Sequence, residues 1–171
     1  YWFGGANGLI RFTDPAGERH DAIWYRMGDK TYPLSHNRIR HIYEDKEQQL
    51  WIATDGSINR YDYATRQFIH YNIVDNTGTY NTNWTYYIFE DTAGQLWIST
   101  CLGGIFVVDK RKLMQSTSGQ YIAEQNYSVH NGLSGMFINQ IIPDNEGNVW
   151  VLLYNNKGID KINPRTREVT K

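Results

Sequence analysis

The chain has 171 residues, enough to bury a core, and a net charge of −1. That balance lacks the clustered Lys and Arg that nucleic acid or an anionic membrane surface would require, so no nucleic-acid partner is expected. The single cysteine, Cys101, excludes an internal disulfide framework and fits no paired-cysteine metal spacing; it reads as a small residue in a turn near strand ends. Thirteen Tyr and six Trp, set against few Ala and Leu, favour strands over helices. No apolar run approaches the ~20 residues of a membrane-spanning helix, so membrane contact is expected only through segments outside this sequence. The sequence starts at Tyr1-Trp2 with neither an initiator Met nor a signal peptide and reads as a fragment or processed product.

In chain order, residues 2–5 and 8–12 read as the closing strands of a unit that begins elsewhere. A complete unit then opens at Leu34-Ser35-His36-Asn37-Arg38-Ile39. Its hairpin spans residues 42–54, its third strand 57–62, and a polar turn leads to a fourth strand at 67–71. The hairpin recurs at 88–100 with a third strand from Gly104 to Asp109. It recurs again at 142–151, followed by strands near 158–162 and 168–170. Trp2, Trp51, Trp97 and Trp150 stand in matching contexts, separated by 49, 46 and 53 residues, and Asp45, Asp91 and Asp144 each precede their Trp by six. An Asp that opens a turn accepts bonds from backbone N–H groups two residues on, while Gly94 and Gly147 supply the positive φ that closes the hairpin. Gln48 stands where the other copies carry Gly, which predicts a variant turn.

Four antiparallel strands repeated at roughly 50 residues are the blades of a β-propeller, in which radial repetition protects strand edges. The fold expected is all-β: a propeller fragment of about three and a half four-stranded blades, part of a seven-bladed ring. Residues 1–33 end a preceding blade and connect it onward; 34–82, 83–132 and 133–171 are the three that follow. So few blades do not close a ring. Either self-association or the remainder of the propeller is expected to cover the end faces.

Leu34-Ser35-His36-Asn37-Arg38-Ile39, Glu44-Asp45, Leu50-Trp51-Ile52-Ala53-Thr54, Arg60-Tyr61-Asp62 and Phe68-Ile69-His70-Tyr71 together resemble one copy of the two-component-regulator propeller repeat. The sequence departs from that repeat at Gln48, at Ser57 in place of Gly, and at Leu153 in place of the hairpin-closing Thr. The resemblance implies the sensor region of a hybrid two-component regulator of the Bacteroidetes kind, periplasmic and belonging to an inner-membrane protein. Such a region recognises glycan fragments and signals through a membrane helix to a histidine kinase. No kinase, receiver or DNA-binding segment stands in these residues, so the chain itself is expected not to be an enzyme. A propeller lyase or glycoside hydrolase, and a protein-binding scaffold, are the competing readings.

The candidate chemistry is sparse. Glu44-Asp45, Glu90-Asp91 and Asp144 could be offered as acid/base pairs for glycoside cleavage, but a residue repeated with every blade builds the blade, whereas a catalytic pair occurs once. Asp45, Trp51, Asp91, Trp97, Asp144 and Trp150 are therefore assigned to the structural repeat, with the three indoles expected in the core between sheets. His20, His36, His41, His70 and His130 show no metal-binding spacing, and no metal, cofactor or catalytic residue is assigned. Gly132-Leu133-Ser134-Gly135 lacks the frame of a nucleophile elbow, and Asn83-Trp84-Thr85 is a weak match to a glycosylation acceptor. The more informative aromatics are those that do not recur: Trp24, Tyr25, Tyr80, Trp84, Tyr86 and Phe137.

In a propeller the starts of the first strands share one face with the loops between second and third strands. The mouth predicted on that basis is formed by His36, Asn37, Arg38, Asn83, Trp84, Thr85 and Gly135-Met136-Phe137. Asn7, Asp55, Cys101, Tyr154, Asn155 and Asn156 lie in the neighbouring loops. His36, Asn37, Asn83 and Asn155 can hydrogen-bond hydroxyls, Arg38 can meet a carboxylate or sulfate, and Trp84 and Phe137 offer apolar surface. An oligosaccharide is the ligand this set suits.

Overall fold

The computed structural model describes residues 1–14, 22–31, 33–116 and 120–171, so His20 lies outside the described residues. Four sheets stand side by side. The first holds β1 (Trp2–Gly5), β2 (Gly8–Phe12) and β3 (Ala22–Tyr25). The second is an antiparallel meander of β4 (Ile39–Glu44), β5 (Leu50–Thr54), β6 (Ser57–Asp62) and β7 (Gln67–Val74). The third begins with β8 (Thr85–Glu90), β9 (Gln95–Thr100) and β10 (Ile105–Asp109). The chain then leaves it through a helix, α1 (Lys110–Gln115), and a strand, β11 (Gln120–Ile122), which pairs parallel to β7 of the second sheet. It returns as β12 (Gln125–Tyr127) to complete the third sheet beside β10. The fourth is β13 (Ile138–Pro143), β14 (Val149–Leu153), β15 (Ile159–Asn163) and β16 (Glu168–Thr170). These are the propeller blades read from the repeat. The excursion through α1 and β11, which staples one blade to its neighbour, was not.

Because side chains alternate faces along a strand, each of the two inner sheets feeds two of the three cores and each end sheet feeds one. Leu9, Tyr25, Leu50, Ile52 and Tyr61 join the first sheet to the second. Trp51, Ile73, Ile88, Ile98 and Phe106 join the second to the third. Trp97, Phe89, Tyr127, Ile141 and Val151 join the third to the fourth. Tyr25, one of the non-recurring aromatics, is 1% exposed and lies in the first of these cores, not at a ligand face.

The six-residue Asp–Trp spacing is a three-way lock. In each copy one carboxylate oxygen accepts the backbone N–H groups two and four residues on: Glu47 and Gln49, Ala93 and Gln95, Glu146 and Asn148. The other accepts the indole N–H, from Trp51 and Trp97 at 2.9 Å and Trp150 at 3.0 Å. For Asp144, burial acts to raise the pKa, but the bonds from Asn148 and Trp150 prevail and hold it at about 2. The turn is closed at positive φ by Gly94 and Gly147, and by Gln48 at φ 61°, so the substitution keeps the geometry at a conformational cost. Ser57, in place of Gly, likewise sits at positive φ, its hydroxyl donating to the Tyr71 carbonyl at 2.9 Å.

Trp150 departs from the expected burial: it is 43% exposed, although its bond to Asp144 is intact. Trp51 and Trp97 are covered by the following sheet, whereas no following sheet covers Trp150 among the described residues. Ile142, Leu152 and Ile159 are exposed with it. The first sheet similarly exposes Phe3 and Trp24.

Candidate functional site

The first strands β4, β8 and β13 lie against one another in sequence, and each carries an irregularity at the same place. The register skips one residue after Ile39, after Thr85 and after Ile138, leaving Arg40, Tyr86 and Asn139 unopposed. Such bulges re-aim a side chain. Arg40 makes a two-point bond to Asp55, at 2.7 and 3.2 Å, and its guanidinium lies 4.5 Å from the centre of the Tyr86 ring. Tyr86 meets Tyr154 edge-on at 6.1 Å. The bond to Asp55 raises the Arg40 pKa, outweighing the burial that opposes it, while burial pushes the Tyr86 phenol up against the opposing effect of Arg40.

Two residues before each bulge stands a rim position, occupied in turn by Arg38, Trp84 and Phe137. Their carbonyls accept the N–H groups of Asp55 (3.4 Å), Cys101 (3.0 Å) and Tyr154 (3.0 Å), tying each strand start to the loop between the second and third strands of the same sheet. The Trp84 N–H in turn donates to the Asp55 carbonyl across the sheet boundary, at 3.0 Å. The structure thus brings the predicted loops together as one face. All three rim side chains are exposed: Arg38 by 53%, Trp84 by 48% and Phe137 by 41%. Arg38 pairs with Asp55 only at 3.7 Å, too long for a hydrogen bond, so its exposed guanidinium keeps its donors available to an anion.

The remaining predicted residues divide. Asn83 and Asn155 are exposed, Asn155 with a backbone φ of 58°. The Asn37 side chain is committed to the Met27 N–H at 2.7 Å, and one ring nitrogen of His36 accepts the Arg38 N–H at 3.0 Å. Thr85 is buried and donates to the Thr82 carbonyl. Cys101 is buried at the turn after β9, its N–H spent on Trp84.

Sequence reasoning assigned no role to Arg40 and did not identify the concavities beside the mouth. One, of about 520 Å³, runs between the Asp75–Tyr80 turn and residues 123–131; another, of about 300 Å³, lies between Tyr80, Asn83, Trp84 and Leu102. The signal for Arg40 was present, since aligning the three strand starts puts Arg40, Tyr86 and Asn139 in register.

Four-stranded antiparallel sheets packed side by side, with inner strands adjacent and one face built from strand starts, define a segment of a β-propeller. A family model described as the two component regulator propeller matches residues 33–56 and 132–155, so two of the strand-start and hairpin stretches are similar to that repeat. It is similar to two crystal structures of the extracellular domain of BT4673 from B. thetaiotaomicron. One of these is described as from a one component system, at 98% identity and a TM-score of 0.96; the other as from a hybrid two component system, at 99% and 0.97. Each match covers 100% of this chain and 23% of the other, so the chain spans about a quarter of those structures. The extracellular domain of BT3049 from the same organism, at 21% identity and a TM-score of 0.69 over 99% of this chain and 21% of that one, shares the fold. No curated protein matches. The chain is an extracytoplasmic propeller segment, and no helix among its described residues is long and apolar enough to cross a membrane.

Proposed function

We propose that this chain is part of the ligand-sensing propeller of a hybrid two-component sensor, located in the periplasm, that it recognises glycan fragments, and that the signal passes to a histidine kinase elsewhere in the protein. The observation that carries the reading is the near-identity, over all of this chain, to the extracellular domain of a protein assigned to the hybrid two component systems. The rim supports a saccharide ligand: Trp84 and Phe137 offer faces for sugar rings, Asn83 and Asn155 can hydrogen-bond hydroxyls, and Arg38, paired with Asp55 only at 3.7 Å, keeps exposed donors for a carboxylate or sulfate. Arg40 is not the ligand's partner in this reading, because Asp55 already occupies it; it fixes the floor of the mouth.

Thermal-shift measurements of the complete extracytoplasmic region against neutral and acidic oligosaccharides test this. A rise in melting temperature with one glycan class, reduced by Arg38→Ala or Trp84→Ala, is the expected result. No shift across the panel, together with recovery of a protein partner by the same region, would instead support a scaffold.

A further inference from the structure

The connection from β7 to β8 is pinned by Asp75, whose carboxylate accepts the Tyr80 N–H at 2.8 Å and the Thr77 hydroxyl at 2.5 Å, while its carbonyl accepts the Gly78 N–H at 3.1 Å. Opposite it, residues 123–131 are fixed by β12 and by Asn131, which accepts the Ser128 N–H and donates to the Asn126 carbonyl. These two held segments leave the 520 Å³ trough between them, with Tyr80 as a wall and its hydroxyl 3.4 Å from a His130 ring nitrogen. Tyr80 also borders the 300 Å³ trough, whose far wall is Trp84. Trp84 has φ 54°, a left-handed conformation that a bulky residue keeps only when its surroundings hold it; here backbone bonds to Asp55 and Cys101 do so.

The unspent polar groups in these troughs are neutral. The side chains of Asn76, Asn83 and Trp84 make no hydrogen bond among the described residues, whereas Glu124 is occupied by Lys112, Tyr121 and the Asp109 N–H. No Lys or Arg lines either trough. A sulfate or carboxylate would meet the carboxylates of Asp75 and of Glu124, the latter already paired with Lys112, and no Lys or Arg in the lining to hold it, which disfavours it. A polyhydroxylated neutral ligand would find amides for its hydroxyls and two ring faces for its C–H surfaces.

We infer that the two troughs flanking Tyr80 form a subsite for a neutral saccharide chain, with Tyr80 and Trp84 as platforms and Asn76 and Asn83 as hydroxyl partners. The inference rests on the sensing role proposed above and places part of the ligand beside the mouth, between the outer parts of two blades. Titration calorimetry of the complete extracytoplasmic region with maltohexaose, xylohexaose, mannohexaose and a sulfated chondroitin hexasaccharide tests it. Asn76→Arg and Asn83→Arg together change two exposed side chains and fill the troughs, so the fold is expected to survive, as circular dichroism would verify. A neutral hexasaccharide is expected to bind, and the double variant to bind it about tenfold more weakly or worse. Unchanged binding by the double variant, with loss on Arg38→Ala, would overturn the subsite and leave the sensing reading standing. Preference for the sulfated probe would overturn the neutral selectivity. Binding of none would overturn both the subsite and the glycan reading.

Discussion

Replacing Lys110 by Met is expected to destabilise the extracytoplasmic region by about 3–5 kcal/mol, because it strands buried carboxylates in place of removing a matched pair. Lys110 is 2% exposed and reaches Asp45 at 3.0 Å, Glu90 at 2.8 Å and Glu47 at 3.3 Å. Burial acts to lower its pKa, yet the bonds to Glu90 and Asp45 outweigh burial and hold the pKa above the ordinary lysine value. Asp45 also carries the Trp51 indole and the turn N–H groups, which, with Lys110, overcome burial and hold its pKa down. One ammonium therefore ties the hairpins of the second and third sheets to the helix that crosses between them. Glu47 is the exposed member, and Glu47→Gln is expected to cost no more than ~1 kcal/mol. Denaturant midpoints of the two variants decide: a Lys110→Met midpoint equal to wild type, or a larger loss for Glu47→Gln, contradicts the clamp.

Trp97→Ala is expected to cost about 3–5 kcal/mol. Its ring, 1% exposed, is stacked between Phe89 at 6.0 Å and Tyr127 at 5.5 Å, and its N–H is spent on Asp91 at 2.9 Å. Truncation would open a cavity between the third and fourth sheets and leave a carboxylate oxygen without its partner. Trp84→Ala, at the half-exposed rim, is expected to lower stability by less than ~1 kcal/mol. If the denaturant midpoint moved further for Trp84→Ala than for Trp97→Ala, the division between core indole and rim indole would be wrong.

How much of this was legible depended on whether a feature recurs. The Asp–Trp lock was readable because three copies at one spacing imply one geometry, and even Gln48 only traded a glycine's ease for a strained φ. Trp150 was misjudged because periodicity reports which face a residue takes and not whether a neighbour covers that face. The excursion through α1 and β11 occurs once and carries no repeat signal: β11 is a three-residue strand whose partner, β7, lies some 50 residues earlier in the sequence. Strand polarity was enough to expect the strand starts at Arg38, Trp84 and Phe137 beside the loops at Asp55, Cys101 and Tyr154, to which their backbones bond. The commitments within them were not visible, since Asn37 and Asn83 look alike as sequence while only the former has its side chain engaged. The Tyr80 troughs were beyond reach because they lie between two segments whose separation is set by Asp75 and Asn131, single-copy turn residues.

The exposed faces bear on what kind of piece this chain is. Ile142, Trp150, Leu152 and Ile159 on one end sheet, and Phe3 on the other, occupy positions that neighbouring blades cover elsewhere in the chain, and Trp24 is exposed beside Phe3. Contiguous apolar area of that kind drives association in water. Light scattering with dye binding on the 171-residue chain alone, at micromolar concentration, tests most directly that it is a run of blades within a larger propeller. Associated species, or a monomer that binds an apolar dye, are predicted; a well-folded monomer that unfolds cooperatively and binds no dye would contradict it.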